Sequence, residues 1–95
     1  MCIRDRTYSD AETIAADALD LYPSQPLLYL LYGVALNKQS KFKEAIEQLE
    51  IGIDYIIDDT KMESDFYQQL GDAYTGSGNA TKGQQYIGKA NALKS

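Results

Sequence analysis

Apolar residues recur along this chain at intervals of three and four, the spacing of one face of an α-helix. Tyr8, Ala11, Ala15 and Ala18 share such a face. So do Tyr29, Tyr32, Gly33 and Leu36, then Phe42, Ala45, Ile46, Leu49, Ile53 and Ile56, and then Phe66, Tyr67, Leu70, Ala73 and Tyr74. Five helices are predicted, at about 7–22, 26–38, 41–57, 60–76 and 80–94. Punctuation falls between them. Thr7 with Asp10 and Thr60 with Glu63 have the form of capping boxes, and Ser40 is a candidate N-cap. Pro26 suits the first helical position, where its missing N–H costs nothing. Gly76-Ser77-Gly78-Asn79 supplies a glycine for a left-handed cap and an asparagine to start the next helix. The fifth helix is expected to be the softest, because Gly83 and Gly88 each cost about 1 kcal/mol relative to alanine.

Small residues stand where helices must meet. Gly33 and Ala45 have almost no side chain, so the second and third helices, joined by the polar turn 37–41, can lie antiparallel and closer than larger residues would allow. The pattern then repeats itself. A shift of 34, from Tyr8 to Phe42, also carries Ala11, Ala15 and Ala18 onto Ala45, Leu49 and Gly52. A shift of 38, from Tyr29 to Tyr67, carries Tyr32, Gly33 and Leu36 onto Leu70, Gly71 and Tyr74, and Ala45, Leu49 and Gly52 onto Gly83, Ile87 and Ala90. The extra residues of the second shift fall at 58–61, between units.

A helix-turn-helix unit of this length, with Tyr67-x2-Leu70-Gly71-x2-Tyr74 and the looser Tyr29-x2-Tyr32-Gly33-x2-Leu36, resembles the tetratricopeptide repeat. The resemblance covers the chain from Tyr8 onward. It implies an all-α, right-handed α-solenoid of antiparallel helix pairs, about two and a half repeats: residues 7–23 as the second helix of a truncated unit, then 26–59 and 60–95. Ala80 and Gly83 depart from the pattern in the last unit. Ile57 stands where the first unit closes with Pro23, so the central helix is expected to run about a turn longer. Stacked repeats bury their cores against neighbours and generally need three or more units, so the chain is expected to be a piece of a longer array, with self-association through an open end as the lesser expectation. Residues 1–6, MCIRDR, fit neither the pattern nor any cap; they have the look of adaptor read-through in a metagenomic reading frame, or of a frayed terminus. A closed five-helix bundle is the competing architecture.

Composition narrows the chemistry. Nine Lys and Arg against 14 Asp and Glu give a net charge of −5, unsuited to nucleic acid or anionic lipid. With no His and only Cys2, the chain has no intrachain disulfide, no Cys/His zinc cage and no histidine acid/base chemistry. The longest apolar run, 26–32, is far short of the roughly 18 residues that span a bilayer. No cofactor is expected.

The resemblance implies a concave face built from the first helices of successive units, taking an extended peptide or a partner helix. Its residues here are Leu27, Leu30, Leu31, Val34 and Asn37 on one unit, and Asp65, Gln68, Gln69, Asp72 and Thr75 on the next. That gives an apolar half beside an acidic, amide-rich half. The Lys and Asn grip on a carboxylate found in some family members has no counterpart at these positions. Burial against a preceding helix competes as the explanation of the four apolar residues, and a solvated face as that of Gln68, Gln69 and Asp72. Lys38, Lys41 and Lys43 read as a solvated turn. Asp58, Asp59 and Glu63 read as capping and linker chemistry, without the glycine-turned spacing of a calcium loop. Of the eight tyrosines, Tyr29, Tyr32, Tyr67 and Tyr74 occupy packing positions, not a stacking platform for bases. The expected function is that of a non-catalytic scaffold for a protein or peptide. The alternative is an accessory domain of an enzyme, such as a peptidase or transferase, with its catalytic module elsewhere.

Overall fold

The structure, a computed structural model, describes residues 2–94, with side chains for 7–93. Five helices make up the fold among the described residues: α1 (Cys2–Leu21), α2 (Pro26–Lys38), α3 (Phe42–Ile53), α4 (Thr60–Gly76) and α5 (Ala80–Lys94). α2, α4 and α5 match the boundaries expected from the pattern. The first helix instead starts at Cys2, so Thr7 lies inside it and does not cap it. The third ends at Ile53, short of the expected Ile57 and not a turn beyond it.

Tertiary contacts explain that early end. After Ile53 the chain tightens into bonds three positions apart, Asp54 N–H to Ile51 O at 3.3 Å, Tyr55 N–H to Gly52 O at 3.0 Å and Ile56 N–H to Ile53 O at 3.3 Å. The tightened turn swings the Tyr55 ring onto Tyr29, with centroids 5.8 Å apart, and packs Ile56 on the core. Asp58 then takes a left-handed backbone (φ 54°), and Asp59 caps α4, its carboxylate accepting the Met62 N–H at 3.0 Å. The cap is thus Asp59, immediately ahead of the expected Thr60.

The turns after α2 and α4 are the same device. Lys41 N–H donates to Leu36 O at 2.9 Å and Ser40 N–H to Asn37 O at 3.0 Å; at the equivalent positions of the next unit, Asn79 N–H donates to Tyr74 O at 2.8 Å and Gly78 N–H to Thr75 O at 3.2 Å. This paired pattern closes a helix by placing one residue in the left-handed region. Gly78 does so freely at φ 102°, whereas Ser40 does so at φ 64°. Ser40 is therefore not the cap of α3. Lys41 occupies that position without a side-chain cap. After α4, Asn79 starts α5 as expected, accepting the Lys82 N–H at 3.2 Å.

One core runs through the middle of the molecule. Leu36, Leu49, Phe66 and Leu70 are its largest fully buried side chains apart from Ser64, joined by Leu19, Tyr29, Ala45 and Ala73. Ser64, buried among them, donates to the Ala90 carbonyl at 3.1 Å and so ties α4 to α5. Each helix packs on the next, and α2 also reaches α4; among the described residues the backbone of α1 comes close to no helix but α2, and that of α5 to none but α4. A closed bundle would bring the end helices back onto the others. Here the packing runs from neighbour to neighbour, as in a helical repeat.

Candidate functional site

Glycines fix how the helices of each pair meet. A Cβ on Gly33 would lie 2.5 Å from the Leu49 side chain, and one on Gly71 would lie 2.5 Å from Ile87 and 2.9 Å from the Gly83 carbonyl oxygen. The shift that takes Tyr29 to Tyr67 takes the first contact to the second. Gly52 likewise leaves room for Tyr29 and Phe66, and Gly76 for the Phe42 ring. These approaches set α2 and α4 side by side.

The expected face is only partly assembled on those two helices. Asn37 donates through Nδ2 to the Gln69 carbonyl at 3.1 Å and to Gln69 Oε1 at 2.9 Å. Two oxygens facing one amide group fix its orientation, and the Asn37 Oδ1 is left buried without a hydrogen-bond partner. Gln68 donates to Asp72 at 3.3 Å, one turn along α4. Leu27 is about half exposed at 48%. Asp72 and Thr75 are exposed, and Asp65 is half-buried.

The other three apolar candidates divide. Leu30 packs against the core. Leu31 and Val34 line a separate open groove between α1 and α2, opposite Ala11, Ile14, Ala15 and Ala18, with a volume of about 280 Å³. That is below the roughly 300 to 1,000 Å³ of small-molecule sites, and its lining is almost wholly apolar. Periodicity alone did not separate Leu31 and Val34 from Leu27, because a helix stripe says nothing about which neighbour it faces.

Lys41 is not a bare turn cation. Its ammonium lies 3.1 Å from the Glu12 carboxylate, which also accepts from Gln39 Nε2 at 2.7 Å, so the α2–α3 turn is tied back to α1. The hydrogen bond to Glu12, then its charge, holds the Lys41 pKa above the ordinary lysine value.

The tyrosines face one another. Tyr74 and Tyr86 stack at 5.4 Å and Tyr67 lies 5.9 Å from Tyr86, with Lys82 over Tyr74 at 4.9 Å and Lys89 over Tyr86 at 5.2 Å. Tyr74 also donates to Glu50 of α3 at 2.9 Å. Burial, then the bond to Glu50 and the charge it carries, push the Tyr74 pKa up to about 12. Tyr29 is buried, donates to the Pro23 carbonyl at 2.8 Å and has its pKa raised by burial. Sequence reasoning missed Tyr86, Ser64 and Glu12, which lie off the repeat's packing positions and gain their roles only across helices.

Among the described residues no group of three or more Cys, Asp or Glu is arranged to hold a metal ion, and no helix is long and apolar enough to cross a membrane. Set beside known proteins, the chain matches no family model and no curated sequence.

Proposed function

We propose that the chain is a stretch of right-handed, tetratricopeptide-like solenoid acting as a non-catalytic scaffold, and that it holds a protein or peptide along the face shared by α2 and α4. The repetition supports this reading. The contact of Gly33 with Leu49 and the turn at Ser40 return in the next unit as Gly71 with Ile87 and the turn at Gly78. A unit that repeats its close contact and its turn is one that stacks.

On the face itself, exposed Leu27 offers an apolar anchor, while Asp65, Gln68 and Asp72 offer acceptors suited to a basic or polar flank. Asn37 and Gln69 bridge the two helices between them.

Selection from a displayed library of short peptides tests the proposal. Peptides enriched on the intact chain are expected to carry an apolar anchor beside Lys or Arg. They are also expected to lose at least tenfold in affinity against a Leu27→Glu, Asp72→Lys double variant of unchanged helicity. Enrichment of peptides indifferent to that variant removes the face from consideration.

A further inference from the structure

Two stacked pairs of tyrosines differ in what their hydroxyls face. Tyr29 lies 5.8 Å from Tyr55, and its hydroxyl donates to the Pro23 carbonyl at 2.8 Å. Tyr74 lies 5.4 Å from Tyr86 with the rings parallel, and its hydroxyl donates to a Glu50 carboxylate oxygen at 2.9 Å. An amide carbonyl accepts a hydrogen bond but does not take the proton, whereas a carboxylate does both. The difference bears on one reaction, loss of an electron from the ring. A phenol that loses an electron sheds its proton as well, and a base already in place lowers the barrier. The Tyr74 phenol keeps its proton up to about pH 12, so at neutral pH its oxidation must take this proton-coupled route.

We propose that Tyr74 and Tyr86 form an oxidative cross-linking site, at which a one-electron oxidant, such as the ferryl haem of a peroxidase, joins the two rings as dityrosine and fastens α5 to α4. Tyr74 reacts first: its electron passes to the oxidant and its phenolic proton to Glu50, leaving a neutral phenoxyl radical. A second equivalent of oxidant takes an electron from Tyr86, whose phenolic proton passes to water. A carbon–carbon bond then forms between the ring carbons beside the two oxygens. The hydrogen on each of those carbons is lost as a proton while each oxygen regains one. Two electrons and two protons leave in all, and the chain is lighter by two hydrogen atoms.

The surroundings favour this pair over the others. Both rings are half-buried, within reach of a small oxidant, whereas Tyr29 is 8% exposed. Lys82 over Tyr74 and Lys89 over Tyr86 hold the stack in place. Burial, then the Glu50 charge, raise the Tyr86 pKa too, so both phenols sit in the field of one carboxylate. Tyr67 is farther from Tyr86, at 5.9 Å, and tilted by 31°. Among the described residues the backbone of α5 comes close to no helix but α4, so a covalent link across residues 74–86 secures the end of the fold by removing loop-closure entropy from the unfolded chain.

The proposal is independent of the α2–α4 face. Its test treats the full chain, in dilute solution, with two equivalents of ruthenium(III) tris-bipyridine and sequences the tryptic peptides by mass spectrometry. The expected product is peptide 62–82 joined to peptide 83–89, lighter by two hydrogens, with fragment ions placing the bond at Tyr74 and Tyr86. Glu50→Gln is expected to slow its formation about tenfold or more at unchanged helicity, and Tyr67→Phe to leave it as it is. The purified cross-linked chain is expected to melt at a higher temperature than the untreated one. Coupling of Tyr29 with Tyr55 at a comparable rate, links between chains in place of links within them, or indifference to Glu50→Gln overturns the proposal. An unchanged melting temperature overturns the fastening of α5.

Discussion

In the pair α2–α3 each glycine yields to a large side chain: Gly33 on α2 to Leu49 of α3, and Gly52 on α3 to Tyr29 of α2. In α4–α5 two glycines face each other. A Cβ on Gly71 would lie 2.9 Å from the Gly83 carbonyl oxygen, and one on Gly83 would lie 2.8 Å from that of Gly71, besides striking Thr75. The first pair meets backbone to side chain, the second backbone to backbone. A helix with two glycines, which propensity marks as weak, is thereby the one that packs most intimately. Helix propensity is a weak prior, and a close contact of this kind overrides it.

The strongest way to break the comparison is to remove what both pairs share. Phe66 is fully buried and packs beside Gly52 of the first pair while belonging to the second. Phe66→Ala is expected to cost about 3 to 5 kcal/mol, read by urea denaturation as one cooperative loss and not as the melting of a single pair.

The glycine contrast comes next. Gly83→Ala is expected to destabilise by about 1 to 3 kcal/mol, because the carbonyl oxygen in its way belongs to a backbone that does not yield. Gly88, further along the same helix, has open space where a Cβ would sit. Gly88→Ala is therefore expected to stabilise by about 1 kcal/mol in thermal unfolding. Equal signs for these two substitutions would mean that α5 is not held as described.

The turns sharpen the comparison further. Ser40 and Gly78 do the same work, but only Gly78 does it without strain. Ser40→Gly is expected to raise stability by about 0.5 to 1 kcal/mol and Gly78→Ala to lower it by about 1 to 2 kcal/mol, both measured by denaturant midpoint.

The smallest effect is spectroscopic. The Tyr74 phenolate is expected to form near pH 12, and Glu50→Gln to bring its titration down, as followed by ultraviolet absorbance. A raised pKa in the fold means that the native state holds this proton more tightly. The associated stability is whole below pH 10, the ordinary tyrosine value, and fades as pH climbs from there to about 12. Tyr29, Tyr32 and Tyr86, raised in the same direction by burial, add to the decline.

How much of this was legible in the chain varies with how local each signal is. The bounds of α2, α4 and α5 followed from Pro26, from the spacing of apolar residues and from Gly78-Asn79, all of which act within a few residues of themselves. The end of α3 and the role of Ser40 did not follow. Helical spacing continues to Ile56, but past Ile53 the chain leaves the helix axis, with Tyr55 stacked on Tyr29 and Ile56 packed on the core. Of the candidate face, Asn37 and Gln69 came together as a bonded pair, while Leu30 went to the core and Leu31 and Val34 to the groove on α1.

By itself, then, the order of residues determined the number of helices, the spacing of their apolar faces and the two places, Gly33 and Gly71, where a helix could be approached closely. These depend on steric and periodic properties that each residue carries with it. Which neighbour each face met was decided only in three dimensions. Burial is shared among helices, so Leu49 fills the space Gly33 leaves, Gly83 meets Gly71, and α1 keeps a face for which the described residues supply no cover.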